Sequence, residues 1–143
     1  MLKRLLCSVT LPLALAAGGC DDPIGDSAGG EPVLETSSGD ATYYADIFEG
    51  RKTASGIPFR QNELVAAHRA YPFGTVLRVT NERNDRSVVV RVVDRGPFGT
   101  SANKKRTVID LSRRAAEALD FIREGRATVR VDVLEWGEGL PSS

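Results

Sequence analysis

The alternation of apolar and polar residues predicts β-strands over most of the chain beyond residue 40. In residues 127–134, Val129, Val131 and Val133 alternate with Thr, Arg and Asp, so we expect the valines to face a core and their neighbours to face solvent. Valines are denser still in residues 87–93, where several follow one another directly. That density predicts a strand that is buried on both faces near its middle.

Three further segments complete the predicted set of strands. Residues 75–80 form one strand, and the polar segment 81–86 that joins them to 87–93 predicts the turn of a hairpin. Residues 41–45 are rich in residues that favour strands, and 108–111 form a short apolar strand.

Two helices are predicted between these strands. One spans residues 62–67, where Leu64 and His68 lie four positions apart and would share a face. The other spans 112–122, with Ser112 as its N-cap and an apolar stripe formed by Leu111, Ala115, Leu119 and Ile122. Short, separated strands with small helices favour a compact, mainly β barrel over a doubly wound α/β sheet.

The N-terminal segment has the layout of a secretory signal. A basic start is followed by an apolar run too short for a membrane-spanning helix, and then by small residues that end at Cys20. The alternative is a buried N-terminal helix. Residues 17–20 resemble a bacterial lipobox, in which the Cys becomes the lipidated first residue of the mature protein. We therefore predict four regions: a signal peptide at 1–19, a flexible tether at 20–38, a folded domain at 39–136 and a tail at 137–143.

Composition removes several classes of function. The 19 basic residues balance the 19 acidic ones, which argues against a nucleic-acid partner. The 2 Cys and 1 His do not provide a Cys/His zinc cluster, and the sequence implies no metal and no organic cofactor. The motifs of metalloproteases, α/β-hydrolases, P-loop enzymes and dinucleotide-binding proteins are absent. Acid and base chemistry by carboxyl groups and the single imidazole is what remains.

Two aspartates stand out from their surroundings. Asp94 follows the valine-rich strand directly and precedes the Gly96-Pro97 turn; a carboxyl packed against apolar walls favours the protonated form that a general acid needs. The alternative is an Asp that opens a turn. Asp110 lies in an apolar run just before the helix at 112–122. It is either a second, ionised carboxylate in the same cleft or a group that satisfies the free N–H groups of that helix.

His68 and two tyrosines are the remaining candidates. His68 would orient Asp94 or bind a sugar, or it would simply pack beside Leu64 at a helix end. Tyr43 and Tyr44 would form a platform for sugar rings. Alternatively, since side chains alternate along a strand, one tyrosine would lie inside and the other outside.

Taken in order, seven segments of the chain match a known family. They are GDATYY at 39–44, GRKTASG at 50–56, LVAAH at 64–68, LRVTN at 77–81, SVVVRVVDRGPF at 87–98, IDLS at 109–112 and VRV at 129–131. Together they resemble the RlpA family of bacterial lipoproteins over residues 39–136. The lipobox and the tether fit the same family.

The resemblance implies a six-stranded double-psi β-barrel, with one or two short helices and an open groove for glycan. Active members are lytic transglycosylases, which cleave the linkage between N-acetylmuramic acid (MurNAc) and N-acetylglucosamine (GlcNAc) in peptide-poor peptidoglycan strands and leave 1,6-anhydro products. It implies Asp94 and His68 as catalytic residues, and similarity to expansins adds Asp110. Substrate-binding residues would be Thr42, Tyr44 and Arg95. We further predict a monomer, and the lipobox predicts that it is anchored by lipid in the cell envelope, facing the periplasm from the inner or outer membrane.

The sequence also departs from the family. Ile57 stands where active members usually carry Glu, Arg60 where Asp is frequent, and Val93 where Asn precedes the Asp; residues 99–107 are longer and more basic. The loss of an acidic residue at Ile57 favours a second hypothesis, a non-catalytic, expansin-like lipoprotein that binds peptidoglycan. A third hypothesis is a structural lipoprotein that docks a protein partner.

Overall fold

Six strands and two short helices make up the framework of the described chain. The computed structural model describes residues 31–99 and 101–139. The strands are β1 (Glu35–Tyr43), β2 (Val65–His68), β3 (Val76–Asn81), β4 (Ser87–Asp94), β5 (Thr107–Leu111) and β6 (Ala127–Glu135). The helices are α1 (Ala102–Arg106) and α2 (Arg113–Ala118), and a single 3-10 turn lies at Asp46–Phe48.

The strands close into a barrel in the order β1-β5-β2-β4-β3-β6, with β6 pairing back to β1. The β1–β5 and β2–β4 pairs are parallel and the other pairs are antiparallel. Closure leaves no free sheet edge. The predicted six-stranded, mainly β barrel is confirmed, as is the hairpin of β3 and β4.

The barrel interior holds the apolar residues that the alternation predicts. Val129, Val131 and Val133 are fully buried in it. Asp132 was expected to face solvent, but it is buried as well. Its neighbours cover it: the Thr36 hydroxyl donates a hydrogen bond to it at 2.9 Å, and Arg78 and Arg130 pair with it at 3.4 and 3.3 Å. The other strand residues of this core cluster pack with the valines: Ala41, Ala66, Leu77, Val79, Val90, Val92, Ile109 and Leu111.

A second, smaller cluster lies on the outer face of β2. It consists of Tyr44, Phe59, Val65, Ala67 and Val93. Val92 belongs to the barrel core while Val93 belongs to this outer cluster, so β4 is buried on both faces near its end. The prediction placed this burial near the middle of the strand, which is wrong, because Val89 is 46% exposed and Arg91 is exposed there.

The helix predicted at 62–67 is wrong. Residues Val65–His68 are strand β2, which pairs with β4 on one side and β5 on the other. A short strand buried on both faces has no alternation to reveal it, and its small apolar residues also suit a helix. Leu64 and His68 therefore do not share a helical face.

The second predicted helix exists but is shorter than 112–122. It begins after Ser112, whose hydroxyl accepts a hydrogen bond from the Ala115 amide at 3.3 Å, as the N-cap prediction has it. It ends at Ala118, and Asp120 then takes a left-handed conformation with φ of 58°. A helix cannot continue through that conformation. The sequence did not predict α1.

The barrel starts earlier than expected. The predicted tether ends at 38, but β1 begins at Glu35. Residues 35–38 already pair with β6: Glu35 lies opposite Val133, and Ser38 lies opposite Arg130. The predicted signal peptide, Cys20 and the tether up to residue 30 lie outside the described residues, as do tail residues 140–143. Within the described part, no helix is both long enough and apolar enough to cross a membrane.

Candidate active site

Two aspartates from different strands lie on either side of the same residue of the sheet. Ala67 of β2 pairs with Asp94 of β4 on one side and with Asp110 of β5 on the other, and Thr42 of β1 pairs with Asp110. Residues paired across strands point to the same face, so Thr42, Asp110, Ala67 and Asp94 form a line that we name the carboxylate row. Two strand spacings separate the aspartates, about 10 Å between their Cα atoms. Their side chains are both partly exposed.

The row faces outward from the barrel. The neighbours of Asp110 along its strand, Ile109 and Leu111, are both in the barrel core. Side chains alternate along a strand, so Asp110 points to the outer face. A register shift between Ala66 and Ala67 brings Asp94 to that face beside Ala67. The site is thus on the outside of the barrel wall, next to the outer cluster.

Three donors hold the Asp94 carboxylate. The Tyr44 hydroxyl donates to Oδ2 at 2.5 Å, and the backbone amides of Ala54 and Arg95 each donate to Oδ1 at 2.8 Å. Both oxygens act as acceptors, which is the role of an ionised carboxylate. The group is therefore fixed in orientation as an anion that faces solvent on its remaining side.

The Ala54 amide is a site donor that the sequence analysis missed. It lies in a turn in which the Thr53 amide and hydroxyl both donate to the Ile57 carbonyl, at 3.0 and 2.6 Å. Gly56 takes a φ of 94° in this turn, a conformation that favours glycine. The matched segment GRKTASG therefore builds the turn that presents a backbone amide to Asp94.

Asp110 is a partly buried residue of β5. Burial raises its pKa, the nearby charge of Asp94 raises it further, and the Thr42 hydroxyl and Lys104 act in the opposite direction. The Thr42 hydroxyl donates to Oδ1 at 3.0 Å. The protonated form of Asp110 is therefore favoured relative to that of a freely solvated Asp.

The end of helix α2 was expected to favour the ionised form of Asp110 or to be satisfied by its carboxyl, but burial shifts its pKa upward and other groups satisfy the helix. Ser112 caps that helix, and the Gln61 side-chain oxygen accepts from the Arg113 amide at 2.7 Å. The free N–H groups of α2 are thus occupied by other partners, and burial dominates the environment of Asp110. Gln61 was also missed by sequence; its amide nitrogen donates to the Tyr44 carbonyl at 2.9 Å, which ties the site to α2.

Tyr44 donates a hydrogen bond to Asp94 and lies close enough to Asp110 for both charges to act on its hydroxyl. Its ring packs on Phe59 with 4.2 Å between centroids, within the same cluster as Ala67. Burial, the hydrogen bond to Asp94 and the charges of Asp94 and Asp110 all raise the pKa of its hydroxyl, so it stays protonated and donates. Tyr43 points elsewhere and donates to the Ile122 carbonyl at 3.0 Å. The tyrosines follow the alternating arrangement and do not form a joint platform.

His68 lies apart from the carboxylate row. It follows Ala67 directly, so its side chain leaves the strand on the opposite side. The ring stacks on Tyr71 with 3.7 Å between centroids, and Nδ1 accepts from the amides of Ala70 and Tyr71, both at 3.1 Å. Burial, helped by two arginines, lowers the pKa of His68 to about 4. The imidazole is therefore neutral, with its proton on Nε2.

Arg95 contributes to the row through its backbone alone. Its guanidinium lies over the Phe73 ring at 3.9 Å from the centroid and donates to the His68 carbonyl at 3.4 Å. The structure therefore brings together Asp94, Asp110, Thr42 and Tyr44, and directs the side chains of His68 and Arg95 to a neighbouring region. In residues 31–99 and 101–139, no three acidic, His or Cys side chains are arranged to hold a metal ion.

The positions that depart from the family lie around the site. Ile57 is 40% exposed at the end of the turn that carries Ala54. Val93 is buried in the outer cluster, and Arg60 pairs with Glu49 at 3.6 Å. None of the three contributes an acid to the carboxylate row.

Comparison with known proteins gives a consistent result. The model of a family described as lytic transglycolase matches residues 36–131. The endolytic peptidoglycan transglycosylase RlpA of Campylobacter jejuni is 47% identical over 105 residues, which cover 73% of this chain and 36% of that protein. The protein of the same name from Neisseria meningitidis serogroup A is 41% identical over 106 residues, 74% of this chain and 42% of that protein. The chain thus spans roughly two fifths of the length of these curated relatives.

Solved structures agree on the fold. The Streptomyces papain inhibitor superposes with a TM-score of 0.57 at 24% identity, covering 73% of this chain and 98% of that one. The expansin of Clavibacter michiganensis superposes with a TM-score of 0.54 at 23% identity, covering 73% of this chain and 53% of that one. At these identities the likeness concerns the barrel alone.

Proposed function

Because the chain belongs to the RlpA-like family of double-psi β-barrel proteins, we propose that it is an endolytic peptidoglycan transglycosylase. It would cleave MurNAc–GlcNAc linkages in peptide-poor glycan strands and release 1,6-anhydro products. The observation that carries the proposal is the carboxylate row, which offers two partly exposed carboxyl groups in different environments on one open face. Enzymes that break glycosidic bonds rely on such groups.

The two environments suggest a division of roles. Asp110, whose pKa is raised by burial, is the proton carrier. It protonates the glycosidic oxygen as the bond to the anomeric carbon breaks, and then accepts the proton of the sugar's own 6-hydroxyl as that oxygen attacks the anomeric carbon. One bond breaks and one forms, the proton returns to Asp110, and no water is consumed. Asp94, held as an anion by three donors, stabilises the positive charge that develops on the sugar ring.

This assignment exchanges the roles expected from sequence, where Asp94 was the acid. The experiment that tests the proposed function is the digestion of purified, peptide-stripped sacculi, with the products identified by mass. We expect wild-type protein to release anhydro products, Asp110→Asn to lose about 10²–10⁴-fold in rate and Asp94→Asn about 10²–10³-fold. The matched control is Asp85→Asn in the β3–β4 turn. Asp85 has a left-handed backbone conformation, which Asn also tolerates.

A second candidate function has one observation in its favour. Ile57 replaces the acidic residue usual in active relatives, and its side chain is partly exposed beside the site. A non-catalytic barrel that binds peptidoglycan would keep the shape of the site without that acid. The same digestion separates the two: wild-type protein that binds sacculi and releases no anhydro product contradicts the enzyme and supports the binding protein.

We also propose that the protein acts as a monomer in the cell envelope, held to a membrane by acyl chains on Cys20. The lipobox-like residues 17–20 support this proposal. More than one acyl chain gives a stable anchor without a membrane-spanning segment.

A further inference from the structure

Arg51 is an exposed residue of the segment that covers the outer cluster, and it takes part in none of the ion pairs found in the described part of the chain. The other arginines of this region are paired: Arg60 with Glu49 at 3.6 Å, and Arg113 with Asp46 at 3.0 Å. Of the three, Arg51 is thus the one whose charge is not matched by a carboxylate within that part of the chain.

An aromatic ring supports the Arg51 guanidinium. Its Cζ lies over the Phe48 ring at 5.5 Å from the centroid, and the Arg51 amide donates to the Phe48 carbonyl at 3.0 Å. A guanidinium that lies over a ring keeps its N–H groups at its edge, where a pair of them can donate in parallel to the two oxygens of a carboxylate. Phe48 and Arg51 therefore form a site that suits a carboxylate.

Two series of contacts join this site to the carboxylate row. Through side chains, the Phe48 ring meets the Tyr44 ring edge to face at 5.6 Å, and the Tyr44 hydroxyl donates to Asp94. Through the backbone, Arg51 precedes Ala54 by three residues, and the Ala54 amide donates to the other oxygen of Asp94 at 2.8 Å. Three residues span at most about 11 Å, which is close to the length of one disaccharide.

The backbone at Arg51 is held in place from the facing segment. The Arg51 carbonyl accepts from the Phe59 amide at 2.7 Å, and Phe59 is buried in the outer cluster. The next residue, Lys52, forms a β-bridge with Pro58. The position of Arg51 relative to Asp94 is therefore set by the same short hairpin that presents the Ala54 amide.

We propose that Arg51 is a specificity-determining residue that binds the free lactyl carboxylate of a MurNAc unit close to the bond that is cleaved. The proposal rests on the proposed function. MurNAc differs from GlcNAc by a lactyl ether, whose carboxylate is the one anionic group of each peptide-free disaccharide unit. Where a stem peptide is attached, the same group is an uncharged amide, which cannot form an ion pair with a guanidinium. Arg51 therefore makes the site prefer glycan strands without peptide.

The first test measures binding and needs no turnover. A peptide-free tetrasaccharide of alternating GlcNAc and MurNAc is titrated calorimetrically into the full chain that carries Asp110→Asn, so that the ligand is not cleaved. A second titration uses the same tetrasaccharide with its lactyl carboxylates converted to primary amides. We expect the carboxylate form to bind about tenfold more tightly than the amide form, since a charge-assisted, two-point contact is lost in the latter.

Three further variants in the same background locate the preference. Arg51→Gln should bind both forms equally, and Arg51→Lys, which keeps the charge without the planar fork, should retain only part of the preference. Arg60→Gln is the matched control: it removes the same charge from the facing segment of the hairpin and should keep the tenfold preference. The ratio of two affinities within one variant does not depend on the fraction of protein that is folded. Equal binding of both forms to the protein with Arg51 intact, or the same loss of preference in Arg60→Gln as in Arg51→Gln, overturns the proposal.

The second test follows anhydro-product release from soluble, peptide-free glycan strands, with Asp110 intact. A contact made equally in the bound substrate and in the transition state affects KM alone, so Arg51→Gln should raise KM about tenfold and leave kcat unchanged. On amidated strands, wild type and Arg51→Gln should have the same KM. A loss of kcat at unchanged KM in Arg51→Gln contradicts the proposal. Wild-type protein that releases no product refutes the proposed function, and the affinities of the first test still decide the part assigned to Arg51.

Discussion

Packing and a hydrogen bond together constrain the Tyr44 side chain. It donates to Asp94 at 2.5 Å, its ring is packed against Phe59, and burial together with two nearby carboxylates keeps it protonated. Its function in this arrangement is to fix one oxygen of Asp94. Sequence could place Tyr44 near the site through the matched segment GDATYY, but could not say whether the tyrosine binds sugar or orients a carboxylate, since that depends on where Asp94 lies.

Tyr44→Phe tests this function. We expect the rate of anhydro-product release to fall about tenfold, because Asp94 loses one of its three donors, and the free energy of unfolding to fall by about 1 kcal/mol for the lost hydrogen bond. Product release and urea denaturation measure the two effects. Tyr43→Phe is the matched control: it loses the bond to the Ile122 carbonyl, with a similar loss of stability and an unchanged rate. A rate unaffected by Tyr44→Phe would contradict the assignment.

Strand β2 is the element that assembles the site. It is inserted between β4 and β5, so one residue, Ala67, has Asp94 on one side and Asp110 on the other. The small side chain of Ala67 leaves space for the Tyr44 ring in the outer cluster. The same insertion sends the next residue, His68, to the other side of the sheet. A helix at these positions could not pair with β4 and β5. Asp94 and Asp110 would then not be joined through Ala67.

Ala67→Val should displace the Tyr44 ring, which belongs to the same outer cluster, and so disturb its hydrogen bond to Asp94. We expect product release to fall at least about tenfold and the free energy of unfolding to fall by about 1–2 kcal/mol through overpacking. The control is Val65→Ile, which enlarges a residue of the same strand and the same cluster away from the aspartates. It should cost similar stability and leave the rate unchanged. If both variants lose activity in proportion to their stability, Ala67 has no special part in the site.

The barrel as a unit presents its site on the outer wall, where a polymer can approach without entering a cavity. Such a site suits an insoluble substrate, and a protein held at a membrane by its N-terminus would meet that substrate in the envelope. Residues 36–131, matched by the family model, account for nearly all of the barrel, whose strands run from Glu35 to Glu135. The chain therefore carries the complete barrel within roughly two fifths of the length of its curated relatives.

Cys20→Ser tests the proposed anchor. Without the thiol no acyl chain can be attached, so we expect the protein to move from the membrane fraction to the soluble fraction of the envelope. Cell fractionation measures the distribution, and the mass of the mature N-terminus identifies any acyl chains. Cys7→Ser is the control, because that residue would be removed with the signal peptide and its loss should change nothing. Equal membrane association of Cys20→Ser and wild type would exclude the anchor.

Local physical chemistry was sufficient for much of this protein. Alternating valines identified β6, a polar segment between two apolar runs identified the β3–β4 hairpin, and Ser112 identified the start of α2. Each of these depends on residues within a few positions of one another. Asp94 and Asp110 were also recognised as polar residues in apolar surroundings, because such a contrast is visible along the chain.

The arrangement of the site depended on contacts between distant segments. The insertion of β2 between β4 and β5 joins the two aspartates, the turn at Thr53 supplies a donor to one of them, and the covering of Asp110 raises its pKa. From sequence, His68 was expected beside the aspartates, and Asp110 was expected to be ionised. A sequence does not record which face of a strand a side chain occupies or which groups bury it. Strand pairing and burial are long-range properties of the folded chain, and the charge state of a carboxyl follows from them.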